Sequence, residues 1–277
     1  MFLQDRNLMA GRLYKGDPLT PEEREEFEAD LITFCERELD LLGDIRDLDI
    51  LYAGGSSVLW LEGMSQRIGE RGRLTALDSD AVRSEESRDL LEEAELSAPV
   101  CLVAGDVFEP PFEPRTFDLL YSAGLFHELD VRERTAEDAL AALTSVTRPG
   151  GRIATSDFVD SVPTLQLEDE KLQRDLAREV SGKELFGVGP PERLVALHKS
   201  ILDDVRWRLS SPYNVSHLDK LVLAEEEPAS LSLLPAGARG RFHRSREAFL
   251  ERVRREGYTR PATLYVEGRV ASVPGLS

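Results

Sequence analysis

Positive charge is scarce in this chain. It carries 34 Lys and Arg against 52 Asp and Glu, a formal net charge of -18. Phosphate backbones attract basic surfaces and repel acidic ones, so the balance argues against a nucleic-acid partner and makes small molecules the expected ligands. Lysine is rarest, with only Lys15, Lys171, Lys183, Lys199 and Lys220, and this scarcity identifies no partner. Cysteine is nearly absent too. Cys35 and Cys101 lie far apart without metal-ligand spacing, which excludes a disulfide framework or zinc site and leaves both as expected small apolar residues. No apolar run approaches the ~18 residues of a membrane span. The opening MFLQDRNLMAGR is charged where a secretion signal is apolar, so a cytoplasmic location is expected.

What is present is an ordinary globular composition, 41% hydrophobic and 31% charged over 277 residues, enough for one elaborated domain or two small ones. An amphipathic helix is expected over 21–42, with Thr20-Pro21-Glu22-Glu23 as its start, and residues 1–47 are expected to be an N-terminal helical segment covering the site. Strand and helix signals then alternate: strand 48–53, helix 57–69, strand 73–78, helix 80–94, strands 99–104 and 117–122, helix 133–147, strand 151–158. Such alternation implies an α/β fold with a doubly wound, mostly parallel sheet. Residues 160–243 read as a helical cap insertion with helices near 166–180, 191–209 and 214–224. A helix over 245–256 follows, then β-rich runs 259–266 and 268–273 split by Glu267-Gly268, a hairpin signal that ends the sheet in an antiparallel pair. The core is therefore expected at 48–159 and 244–277.

Five short motifs lie between Leu48 and Phe158, at strand ends or strand starts: LDILYAGGSS (48–57), TALDSD (75–80), AGDVFEPPF (104–112), TFDLLYSAG (116–124) and VTRPGGRIATSDF (146–158). Ligands of open α/β sheets bind beyond the carboxyl ends of the strands, where the strand order reverses. Gly54-Gly55-Ser56-Ser57 joins the first strand to a helix, so it is either a close backbone approach to a ligand at a helix N-terminus or a tight turn. Asp78, followed by Ser79, closes the second strand, where its carboxylate can accept from both ribose hydroxyls or cap the next helix. Asp106 can accept from an adenine amino group, with Val107 and Phe108 against the ring, or serve as a turn carboxylate. Ser122 ends the fourth strand in the mouth of the site. Asp118, at that strand's start, reads as structural, and Pro149-Gly150-Gly151 as a turn into the fifth strand.

Taken together these motifs resemble the class I S-adenosylmethionine-dependent methyltransferases, in particular the small-molecule branch, over 48–158 and less fully over 245–270. The resemblance implies a seven-stranded Rossmann-like sheet with a reversed terminal hairpin. It also implies S-adenosylmethionine as cofactor, S-adenosylhomocysteine as product, and contacts at Gly54, Gly55, Ser56, Asp78, Ser79, Asp106, Val107 and Ser122. The chain departs from the family in its first motif, with Tyr52 where an acidic residue usually stands and Ser56 and Val58 in place of later glycines.

An activated sulfonium methyl needs mainly alignment with its acceptor, and an oxygen or nitrogen acceptor can also need a base. His127, in GLFHEL, is the expected catalytic residue and a substrate contact, because the position borders the site and imidazole titrates near neutral pH. Tyr14, Trp207 and Tyr213 are further candidates for the acceptor pocket, against a plain packing role, and His198, His217 and His243 read as surface histidines. Two other readings stay open: the same fold doing aminocarboxypropyl transfer or cyclisation, or an inactive partner subunit. A nicotinamide dehydrogenase is disfavoured because GGSSV lacks the GxGxxG spacing. The pattern names no acceptor and leaves homo-oligomerisation open.

Overall fold

The computed structural model of the protein describes residues 18–80 and 87–272. Tyr14 lies outside these residues, as does most of the first half of the expected helix over 80–94, of which 87–91 is helical.

Helix α1 (Pro21–Asp40) begins where the sequence placed it. Thr20 Oγ1 accepts the Glu23 amide at 3.3 Å while Glu23 Oε2 accepts the Thr20 amide at 3.1 Å, a reciprocal cap that satisfies two orphan donors. Strand β1 (Asp49–Ala53), helix α2 (Val58–Ile68), strand β2 (Arg73–Asp78), strand β3 (Val100–Ala104) and strand β4 (Phe117–Ala123) follow. Helix α3 (Ala136–Val146), capped by Thr135 and Asp138 in the same reciprocal way, leads into the long strand β5 (Thr147–Phe158). Beyond it come α4 (Leu165–Ser181), α5 (Pro191–Lys199), β6 (Asp203–Leu209), β7 (Tyr213–Asn214), α6 (Leu218–Ala224), α7 (Ala236–Glu256), β8 (Thr259–Arg260) and β9 (Thr263–Arg269).

Seven strands make one sheet in the order β3-β2-β1-β4-β5-β9-β6, parallel except for β9, which runs antiparallel to both neighbours. Strand β1, flanked by β2 and β4, is the point where the strand order reverses. Leu39, Met64, Ile68, Phe249 and Val253 cover one face with Ile50 and Leu74. Leu140, Leu143, Leu194 and Leu197 cover the other with Leu51, Leu120 and Ile153. Strands buried on both faces are apolar throughout, which is why LDILYA and DLLY carry no alternation.

The end of the sheet differs from expectation in its parts. The antiparallel pair is present, but β9 pairs with β6, from 203–209, and Glu267-Gly268 lies inside β9. Gly268 answers to a close approach: a Cβ there would stand 2.8 Å from Leu202 Cβ. The helix expected over 191–209 stops at Lys199. Its second half is a strand, signalled by Val205, Trp207 and Leu209 in strict alternation with charged residues. Segment 160–243 is therefore not wholly a cap, because β6 belongs to the main sheet. Strand β5 runs through Pro149-Gly150-Gly151, with a register break opposite Phe117 and Leu119 and Gly150 at φ +77. Arg148, within the break, binds Asp118 and Asp49, away from the carboxyl ends of the strands. Helix α7 begins nine residues earlier than the helix expected from Ser245.

Candidate active site

A cleft opens at the carboxyl ends of β1, β4 and β5. Its floor is the β1–α2 loop, Gly54 to Ser57, beside Ala123 and Gly124. Gly54 has φ +80, and a Cβ on it would run into the Leu125 side chain, so both backbone and space favour glycine here. Ser57, the N-cap of α2, makes no side-chain cap bond, and its buried Oγ lacks a hydrogen-bond partner at the start of a helix. Ser56 Oγ donates to Asp78 Oδ2 at 3.0 Å, tying the loop to the end of β2, where Asp78 Oδ1 accepts the Asp80 amide at 2.9 Å.

Of the residues expected to meet the cofactor, Gly54, Gly55 and Ser56 line this cleft, and Asp78, 6% exposed, stands behind Ser56. Ser79 and Asp106 are exposed at the neighbouring strand ends, and Asp106 Oδ1 accepts the Phe108 amide at 2.9 Å. Two side chains point elsewhere. Val107 is buried in the apolar cluster on the α3 side of the sheet, and Ser122, fully buried, donates to Thr155 Oγ1 at 3.2 Å. Tyr52, in the family's acidic position, is buried under the floor with its hydroxyl against Gly55 and its ring stacked 5.9 Å from Tyr121.

The far wall carries the chemistry. A one-turn 3-10 segment, Phe126–Glu128, follows β4 and brings His127 over Gly124. His127 Nδ1 lies 2.6 Å from Asp157 Oδ1, and Asp157 Oδ2 accepts the His127 amide at 3.1 Å. Burial alone would push the imidazole toward its neutral form. The Asp157 charge and hydrogen bond outweigh it, aided by Glu170 and Glu128, and raise the pKa to about 10. Asp157 thus favours the imidazolium form of His127 over the near-neutral titration of a free imidazole. The expectation saw His127 but missed its partner at the end of β5.

Phe34, Trp60 and Phe158 make the apolar side of the cleft, with Glu38, Gln166, Glu170, Arg260 and Thr263 among its polar groups. None of these was anticipated. Glu38 and Phe34 sit on the inward side of α1, and Arg260 ends the two-residue strand β8, places where the sequence pattern speaks only of packing. Past His127 the cleft adjoins a recess of about 530 Å³ between α4 and residues 225–229.

Trp207 is corrected: it stands 55% exposed on edge strand β6, away from the cleft. Tyr213 backs the wall instead of forming it, its ring stacked on Phe34 at 4.6 Å. His198 is buried, not at the surface. Its Nδ1 meets Leu194 O at 2.9 Å and its Nε2 meets Thr155 Oγ1 at 3.0 Å, and burial depresses its pKa to about 4. His217 and His243 contact Glu26 and Glu227 near the surface. Cys35 is buried as expected, whereas Cys101 is exposed.

Residues 50–151 match the family model described as "Methyltransferase domain". This stretch of the chain is a methyltransferase domain. Over 122 residues the chain is 30% identical to the ubiquinone/menaquinone biosynthesis C-methyltransferase UbiE of Idiomarina loihiensis, a stretch covering 43% of this chain and 46% of that protein. The match thus spans less than half the length of this relative. Around the methyltransferase domain the fold is similar to a candidate sarcosine dimethylglycine methyltransferase of Galdieria sulphuraria (TM-score 0.56, 17% identity, 95% of this chain and 93% of that one). It is also similar to the [4+2]-cyclase SpnF (TM-score 0.54, 16% identity, 95% and 88%). Among the described residues no helix is long and apolar enough to cross a membrane.

Proposed function

We propose that the protein transfers the sulfonium methyl group of S-adenosylmethionine to a small-molecule acceptor in the cleft between β4, β5 and α1. The observation that carries this reading is the His127–Asp157 pair facing the glycine loop across one cleft in a methyltransferase domain. The bound cofactor supplies an electrophilic methyl group whose transfer needs chiefly alignment.

The residues present fit such a ligand. The flat loop at Gly54 and Gly55 admits backbone approach, and the orphaned Ser57 Oγ at the start of α2 faces where an amino-acid moiety would lie. Asp78, steadied by Ser56, is assigned to the ribose hydroxyls, Ser79 lies beside it, and Asp106 is assigned to the adenine amino group. Val107 and Ser122 support these strand ends from the core.

His127 as an imidazolium offers Nε2–H to the acceptor. It orients an oxygen or nitrogen and stabilises an acceptor that arrives ionised, and it is not poised to abstract a proton at neutral pH. The mixed lining of the recess, with Lys171, Arg174 and Lys183 near Glu225, Glu226 and Glu227, favours a polar acceptor. A cytoplasmic enzyme acting alone or as a homo-oligomer accords with this reading.

One observation favours a second reading. With Tyr52 against Gly55 in place of an acidic residue, the grip on the amino-acid moiety differs from the family pattern. Non-methyl-transfer chemistry on the same ligand, such as aminocarboxypropyl transfer or cyclisation, is the alternative. Calorimetric titration with S-adenosylmethionine and with S-adenosylhomocysteine tests the first step: micromolar binding of both is expected, and no binding of either removes the reading. Analysis of the products from an acceptor screen then separates methyl transfer from the alternative.

A further inference from the structure

Among the described residues, Arg260 is the one cation of the cleft's lining apart from His127, and no carboxylate among them pairs with it. Only 7% exposed, its side chain forms no ion pair and no hydrogen bond with the described residues, and its buried Nε lacks a partner among them. Its guanidinium is held instead by rings, 5.0 Å from the centroid of Phe158, 5.3 Å from Tyr213 and 5.5 Å from Phe34. Cation–π contacts favour a charge in this place but satisfy none of its N–H groups, and a buried unpaired charge is costly. Buried guanidinium groups in proteins are normally paired. A stacked, pre-positioned fork without a partner is what a receptor for a planar anion looks like before the anion arrives.

Resting on the methyl-transfer reading, we propose that the acceptor is a carboxylate and that Arg260 receives its carboxyl group. Phe158 lies between the two cations of the cleft, its ring also 5.5 Å from His127, so a carboxylate on Arg260 sets the acceptor's body along an aromatic wall toward the methyl-transfer end. A phosphate fits less well. The other charged groups of the cleft are Glu38, Glu128, Asp157 and Glu170, and a dianion would face them with one free guanidinium. Glu38 is itself buried, with Oε1 accepting from Thr263 Oγ1 at 3.0 Å and Oε2 unpartnered, so the cleft also awaits a donor, such as an N–H or O–H of the same acceptor.

Phenylacetate and its neutral isostere phenylacetamide are the probes, titrated by calorimetry into wild-type, R260Q and R260K protein, with and without saturating S-adenosylhomocysteine. Wild-type protein is expected to prefer the carboxylate by about tenfold or more, R260Q to lose the preference and R260K to keep part of it, with S-adenosylhomocysteine affinity the same in all three. Equal binding of the two probes to wild-type protein, or no binding of either, overturns the proposal without need of a variant. A preference that survives in R260Q overturns it as well. Loss of S-adenosylhomocysteine affinity in R260Q would assign Arg260 to the cofactor's own carboxylate and also overturn it. A carboxylate preference that depends on Arg260 in a protein that never binds S-adenosylhomocysteine would keep the anion site and remove the methyl-transfer reading.

Discussion

His127 Nδ1 stands 2.6 Å from Asp157 Oδ1, and the same carboxylate accepts the backbone amides of His127 and of Phe158. One side chain thereby joins the segment after β4 to the end of β5 and sets the charge of the imidazole. Asp157→Asn should leave burial as the dominant influence, so the His127 pKa should fall from about 10 to below its ordinary 6.5. Histidine ring NMR over a pH series reads this directly, and a His127 pKa unmoved by the change would contradict the pairing.

The charge state has a consequence for rate. If His127 orients the acceptor as an imidazolium, kcat should show no histidine limb between about pH 6.5 and 9 in wild-type protein. The Asp157→Asn protein should show one at lower pH, below about 6.5, with activity lost as pH rises through it and the imidazole deprotonates. A wild-type rate that climbs through pH 6.5 would mean that neutral His127 is the active form.

Asp78 is the residue on which the ribose assignment rests. Asp78→Ala should fold and lose about tenfold or more in S-adenosylhomocysteine affinity, a change of about 1.4 kcal/mol or more, whereas Ser56→Ala should lose less because it acts on Asp78 from one side. Unchanged affinity in a folded Asp78→Ala protein would exclude the assignment.

Gly54 combines φ +80 with a floor that has no room for a methyl group. Gly54→Ala should cost about 1–3 kcal/mol in thermal unfolding. Adding Leu125→Ala relieves the contact and leaves the backbone strain, so the two effects should be less than additive. Additive losses would show that Leu125 is not the obstacle.

Stability in acid should follow His198. Its folded pKa of about 4 lies below the unfolded value near 6.5, so the unfolded chain binds the extra proton first. Stability is then lost as pH falls from about 6.5 toward 4, by up to about 3 kcal/mol from this group. His127 acts in the opposite sense, its contribution present below pH 6.5 and lost as pH rises through about 10. Chemical denaturation of His198→Gln should show a flatter acid limb; a limb as steep as that of wild-type protein would assign the loss to other groups.

Much of this protein was legible in the order of its residues because the signals are local. Apolar runs of strand length, a helix start at Thr20, and a glycine loop between strand and helix each specify their own few residues, and their sequence along the chain specifies a doubly wound sheet. Where local signals compete, the tertiary structure decided. Gly268 reads as a turn and is a strand residue because β9 pairs through it with Ile153 of β5, while Leu202 and Val205 leave no room for a side chain there. The stretch after Lys199 alternates like a strand but continues a helical pattern, and pairing with β9 settles it. The site divides the same way. Gly54, Ser56 and His127 stand in recognisable motifs, whereas Asp157, Glu38 and Arg260 come from three distant segments. Their meaning is distance, burial and the presence or absence of an opposite charge, none of which exists until the sheet has brought them to one cleft.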